Sequence, residues 1–145
     1  METSEHITNK LNGLLRGEIS ALETYRQALT KISDSEIRRE LEKAEVSHFD
    51  RVLALNSMVR KFGGEPVTNS GLWGVFAKAA EGSASVLGDR AAISILEEGE
   101  DKGLQDYRSL LEDESDDEIH ALGKACLIKQ EATHELISTL KHRLH

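Results

Sequence analysis

Part of this sequence is written twice. Gly17-Glu18, followed by Leu22, Tyr25-Arg26 and Leu29, returns as Gly99-Glu100, Leu104, Tyr107-Arg108 and Leu111, displaced by the 82 positions that separate Glu18 from Glu100. The same displacement carries Ser33-Asp34-Ser35-Glu36-Ile37 onto Ser115-Asp116-Asp117-Glu118-Ile119. Two copies of one supersecondary unit bury their apolar faces on each other, so the chain must fold as a pair of similar halves. Each half has a helical period. Leu11, Leu14, Leu15, Leu22 and Leu29 recur at spacings that put them on one face of a helix over about residues 5–31. Ile37, Leu41, Val52, Leu55 and Val59 restart the period after Ser33-Asp34-Ser35 and carry it to Gly63-Gly64. A third run begins after Gly88-Asp89 with Ile93, Leu96, Leu104 and Leu111, and a fourth follows the acidic turn with Ile119, Leu127, Ile137 and Leu144. No segment alternates with a period of two, and the chain has one proline, so the fold class expected is all-α, with two helical hairpins.

The hairpins are joined by roughly 25 residues, Gly63 to Gly88, far more than neighbouring antiparallel helices need. A connection of this length travels along a bundle, and the amphipathic piece around Leu72, Val75, Phe76 and Ala79 predicts a short helix within it. The 145 residues are about what four helices and one crossover require, so one domain over 1–145 is expected. With 18 Lys and Arg against 26 Asp and Glu, there is no basic stripe for nucleic acid. No apolar run approaches membrane-spanning length, and Met1 to His6 lacks the pattern of a signal peptide. The single cysteine, Cys126, reads as an inert buried thiol in a reducing compartment, and the cytoplasm is the expected location.

Acids interrupt the apolar stripes. Glu18 and Tyr25 continue the stripe of the first helix, Glu100 and Tyr107 that of the third. Glu45 and His48 fall between Leu41 and Val52 on the second, and Glu131 and His134 between Leu127 and Ile137 on the fourth. The second pair is reached by aligning Lys43-Ala44-Glu45-Val46-Ser47-His48 with Lys129-Gln130-Glu131-Ala132-Thr133-His134, a displacement of 86 (His48 to His134) that places the motif about one turn later. Four carboxylates in one interior repel, and each ionised acid buried without a partner costs several kcal/mol. With no Lys or Arg on the stripes so read, two divalent cations would balance the four glutamates, with two neutral imidazoles completing the ligand set. The spacing Glu-x-x-His puts both side chains on one helical face, within reach of one metal.

At these residues the chain resembles the ferritin-like superfamily, with rubrerythrin and bacterioferritin as functional analogues. It is similar over nearly its whole length to a bacterial family of uncharacterised four-helix bundles in that superfamily, whose third helix reads like Glu97-Glu98-Gly99-Glu100 and ends in Tyr-Arg. The resemblance implies a ferritin-like four-helix bundle holding two divalent metal ions, iron first, manganese or zinc next. Glu18 and Glu100 would be terminal ligands, Glu45 and Glu131 would bridge, and His48 and His134 would each take one metal. Glu97 would be an extra carboxylate from the third helix, and Tyr25 and Tyr107 would orient ligand carboxylates by hydrogen bonds. The activity implied is Fe(II) oxidation, or reduction of O2 or peroxide in stress protection. The other reading is a non-enzymatic stress or interaction bundle with a structural or vestigial site. Homodimerisation is compatible with either.

Overall fold

The computed structural model describes residues 3–70, 88–114 and 116–144, and these form an all-α four-helix bundle. The helices are α1 (Ser4–Lys31), α2 (Ser35–Lys61), α3 (Asp89–Asp113) and α4 (Asp117–Arg143). Short polar side chains set the starts of α1, α2 and α4. Thr3 accepts from the His6 N–H, Asp34 from those of Glu36 and Ile37, and Asp116 from those of Glu118 and Ile119. These caps satisfy backbone donors that have no partner inside the helix. Asp34 and Asp116 are themselves repeat equivalents, so each second helix of a hairpin begins in the same way. Gly63, with φ of 83°, turns the chain out of α2 in a left-handed conformation that favours glycine.

Beyond Gly63 the connection runs along α1. Asn12 donates from Nδ2 to the Glu65 carbonyl at 2.9 Å and accepts from the Val67 N–H at 3.0 Å. Further along α1, the Ser70 hydroxyl donates to Glu23 at 2.9 Å. The short helix expected around Leu72 to Ala79 falls outside the described residues.

Apolar packing comes in two clusters. Around the hairpin turns of α1 and α2, Ala28, Ile32, Ile37 and Leu41 meet Ile93, Leu96, Ile137 and Leu140. Nearer the other end, Leu11, Leu15, Leu55 and Val59 meet Leu110 and Ile119. Each such side chain contributes about 1.5–3 kcal/mol through burial, which makes these clusters the main source of cohesion. Between them lies a buried polar layer of Glu18, His48, Arg51, Glu100, Gln130 and Thr133. Among the described residues, no helix is long and apolar enough to cross a membrane.

The stripe of α4 differs from expectation. Its buried positions are Ile119, Gly123, Cys126, Gln130, Thr133, Ile137 and Leu140. Those of α2 are Ile37, Leu41, Ala44, His48, Arg51, Leu55 and Val59. The displacement of 82 therefore persists through the hairpin, pairing His48 with Gln130 and Arg51 with Thr133, and the one-turn delay inferred from the Glu-x-x-His motifs does not occur.

Candidate functional site

Four helices each bring polar groups to the central layer. Glu18 from α1 and Glu100 from α3 are both buried, and each takes a hydrogen bond from the tyrosine of the opposite helix. Tyr25 donates to Glu100 Oε2 at 2.6 Å and Tyr107 to Glu18 Oε2 at 2.8 Å. The crossed pairing requires α1 and α3 to run antiparallel, with a pseudo-twofold axis between them. Burial, then the neighbouring carboxylates, push both tyrosines well above their ordinary pKa, so each hydroxyl keeps its proton and remains a donor.

His48 bridges the acids. Its Nδ1 lies 2.7 Å from Glu18 Oε1 and its Nε2 2.7 Å from Glu100 Oε2. Burial alone would push the imidazole pKa down. The charge of Glu18 and hydrogen bonds with Glu100 and Glu18 outweigh that and raise it. Burial would likewise raise the Glu100 carboxyl, but hydrogen bonding and charge from His48, with bonds from Tyr25 and Thr133, hold it below the usual carboxylate value. Both directions favour an imidazolium clasped by carboxylates, with both ring nitrogens donating.

The second positive charge is Arg51, fully buried on α2. Its Nε lies 3.2 Å from Glu18 Oε2, and Nη2 donates to the hydroxyls of Ser47 and Thr133, each at 3.1 Å. Nη1 donates to Gln130 Oε1. Gln130 Nε2 in turn donates to the Glu100 carbonyl and to Glu100 Oε1, both at 2.9 Å, while Thr133 donates to Glu100 Oε1 at 2.7 Å. Two carboxylates thus face a guanidinium and an imidazole whose protonated form they favour, so the layer can balance its charge with its own side chains. That satisfies the requirement that buried charges be paired and hydrogen-bonded.

Of the residues singled out in the sequence, Glu18, His48, Glu100, Tyr25 and Tyr107 meet here. Glu45, Glu97, Glu131 and His134 do not. Glu45 is half-buried on the flank of α2, where it pairs with Arg26 Nε at 3.1 Å. Glu97 accepts from Lys141 Nζ at 2.7 Å and from Ser138 at 3.4 Å. Glu131 is exposed, one residue and so about 100° around α4 from Gln130. His134 sits about 6 Å further along the axis than Gln130, with its Nε2 2.6 Å from Asp101 in a partly exposed pair. The expectation that no Lys or Arg lies on the core stripes is corrected by Arg51. Arg51, Gln130 and Thr133 were missed, although extending the displacement of 82 from His48 would have reached Gln130.

Do these residues fit the two divalent ions that the fold resemblance implies? They do not. Among the described residues, only two carboxylates and one imidazole reach the centre. His48 has each ring nitrogen within hydrogen-bonding distance of a carboxylate, and Arg51 already lies against Glu18. Among the described residues, no group of three or more His, Cys, Asp or Glu is arranged to hold a metal ion.

Residues 6–113 match the family described as a domain of unknown function, DUF2383. The chain belongs to that family. No curated protein matches it. Two solved structures share the bundle of this DUF2383 protein. One is a two-domain protein from Anabaena variabilis containing DJ-1/ThiJ/PfpI-like and ferritin-like domains, with a TM-score of 0.78 and 18% identity over 98% of this chain. The chain spans only 37% of that protein's length. The other is described as a ferritin-like, diiron-carboxylate protein from Bacillus anthracis strain Ames, with a TM-score of 0.74 and 15% identity over 97% of this chain and 99% of that one. At these identities the likeness establishes the ferritin-like fold of the DUF2383 bundle.

Proposed function

We propose that this protein is a metal-independent, non-enzymatic member of the ferritin-like fold, a binding or interaction bundle whose centre is held by an internal charge network. One observation carries the reading. Arg51 is fully buried against Glu18, Gln130 and Thr133 and supplies the positive charge for which a metal would otherwise be required. The likeness to a diiron-carboxylate protein supports the competing reading of Fe(II) oxidation or of O2 or peroxide reduction in stress protection. That reading needs Glu45, Glu97, Glu131 and His134 at the centre, whereas Glu45, Glu97 and His134 are paired elsewhere and Glu131 is exposed. Cys126, buried and with its thiol pushed up by that burial, suits a reducing compartment, so we place the protein in the cytoplasm.

Loading with Fe(II) under anaerobic conditions, followed by desalting and exposure to air, tests the proposal. Retained iron well under about one per chain and no oxygen uptake are expected. Retention of about one iron per chain or more, with oxygen consumption, overturns it in favour of the di-metal centre.

A further inference from the structure

An apolar stripe runs along the outside of the bundle. Val46, Phe49 and Leu53 lie on the side of α2 turned away from the buried Ala44, His48, Arg51 and Leu55, and they are 57%, 42% and 51% exposed. Single exposed apolar side chains are ordinary, but three at spacings of three and four form a continuous seam along one helix. The fold does not require that seam. The displacement of 82 carries Val46 onto Ile128, Phe49 onto Glu131 and Leu53 onto Glu135, so two of the three equivalent positions on α4 are exposed acids. The scaffold thus accepts a charged surface here, and the seam on α2 answers to something outside the bundle.

The two ends of the seam indicate what that is. Glu42 stands seven residues before Phe49 and Arg60 seven after Leu53, close to two helical turns in each case, so both lie on the seam's own face. Both are exposed, and among the described residues neither side chain forms an ion pair. A seam with an acid at one end and a base at the other is complementary to itself when turned end for end. In a twofold pair of antiparallel α2 helices, the register that lays Phe49 on the partner's Leu53 also sets Glu42 opposite the partner's Arg60, and the symmetry repeats each contact. A parallel pairing would instead bring Glu42 against the partner's Glu42 and Arg60 against the partner's Arg60, which like charges disfavour.

We propose that the Val46–Phe49–Leu53 face of α2 is a self-association surface, through which two copies of this chain pair about a twofold axis with their α2 helices antiparallel. The surface points away from the polar layer, so the pairing holds whether or not that layer takes up a metal, and its test is separate from iron loading.

Sedimentation equilibrium between about 1 µM and about 1 mM chain is the experiment. One helix laid on another sits at the low end of interface sizes, so a Kd on the order of 10⁻⁵ M is expected. Phe49→Glu, which copies the residue at the equivalent position on α4, leaves the chain monomeric at about 1 mM with unchanged helix content, a loss of at least about a hundredfold. Glu42→Arg and Arg60→Glu each weaken the dimer at least about tenfold, because each sets two like-charged pairs across the axis. Mixing these two variants in equal amounts restores association to near the parent value, since each copy of one then meets opposite charges on the other at both ends of the seam. A merely structural role for Glu42 or Arg60 would give no such rescue. A parent that stays monomeric to about 1 mM, a dimer that survives Phe49→Glu, or a mixture no tighter than its components overturns the proposal. In the first case the seam is left to a different protein or to a membrane surface.

Discussion

The two hairpins share a scaffold but not a centre. Glu18 with Tyr25 and Glu100 with Tyr107 are identical pairs, crossed over the pseudo-twofold axis at 2.6 and 2.8 Å. On the second helix of each hairpin the likeness stops: α2 offers His48 and Arg51 where α4 offers Gln130 and Thr133. Glu18 is therefore met by an imidazole and a guanidinium. Glu100 shares the imidazole and receives an amide and a hydroxyl in place of the guanidinium. The anionic half of the site is duplicated and the cationic half is not. Each acid could be neutralised by its own hairpin only if α4 also carried a cation. Instead α2 supplies both positive charges, and Arg51 reaches across to Gln130 and Thr133 to tie the hairpins together. Charge balance in this layer is a property of the assembled bundle, not of either repeat.

The largest effect is expected where that asymmetry is removed. Arg51→Leu strips Glu18 of its guanidinium while leaving the acid buried, and breaking a buried pair on one side costs about 3–5 kcal/mol. Thr133→Val at the equivalent position on α4 removes one neutral donor to Glu100 and costs about 1–3 kcal/mol. Urea unfolding of the two variants gives the ratio directly. Adding Glu18→Gln to Arg51→Leu recovers part of the loss, since the uncompensated charge goes with it. Equal costs for the Arg51 and Thr133 variants would show that the guanidinium does not carry the layer's charge balance.

The second test is pH. His48 has its pKa raised in the folded state, so its contribution to stability is fully present below the ordinary value of 6.5 and is lost as pH rises through the folded value. Glu100 has its pKa lowered, so its contribution is present above the ordinary 4.5 and is lost as pH falls through the folded value. Stability should therefore level off between about pH 4.5 and 6.5 and decline on both sides. Replacing His48 by Gln, the residue of the equivalent position on α4, should flatten the alkaline decline and weaken the acid one as well, because His48 is the main group that holds the Glu100 carboxyl down. Unfolding midpoints from pH 2 to 9 read both limbs. An alkaline decline that persists in His48→Gln would assign it to another group.

The repeat made most of this legible in advance. Apolar spacing located the four helices, with the first expected over about residues 5–31 and found at Ser4–Lys31. The displacement of 82 placed Glu18, Tyr25, Glu100 and Tyr107 in the interior. The fourth helix was misread for a physical reason. Lys-x-Glu-x-x-His occurs on both α2 and α4, and the identity of the ligand types outweighed the phase of the stripe. Four residues amount to about 40° of rotation and 6 Å of rise, enough to carry His134 from the core to the Asp101 pair. Arg51 was hidden by a different rule. Arginine is almost never fully buried unless it is paired, and the carboxylate, amide and threonine that pair with Arg51 lie on α1 and α4, where a reading of α2 alone has no access to them. Val52, its partly buried neighbour, fits the apolar period instead.

The smallest effects belong to the residues outside the layer, and they discriminate the two readings of the centre most cleanly. Glu45 pairs with Arg26, a side chain 57% exposed, and His134 with Asp101, 59% exposed, while Glu131 is itself at the surface. Pairs of this kind contribute between nothing and about 1 kcal/mol, because water and salt screen them and long side chains lose freedom in making them. Glu45→Gln, Glu131→Gln and His134→Gln should therefore each shift unfolding by less than about 0.5 kcal/mol, with the Glu45 shift adding to those on α4, where Glu131 and His134 lie one turn apart and can couple. The same three residues include both bridging carboxylates and one of the two imidazoles of the di-metal alternative. Were that centre present, each substitution would remove a ligand and the triple variant would lose the stabilisation that bound metal confers on the folded state. Thermal melts of the triple variant and the parent, each with and without chelator, compare these outcomes. Superimposable curves are expected, and a chelator-sensitive parent beside a chelator-insensitive variant would move the centre from Arg51 to a metal.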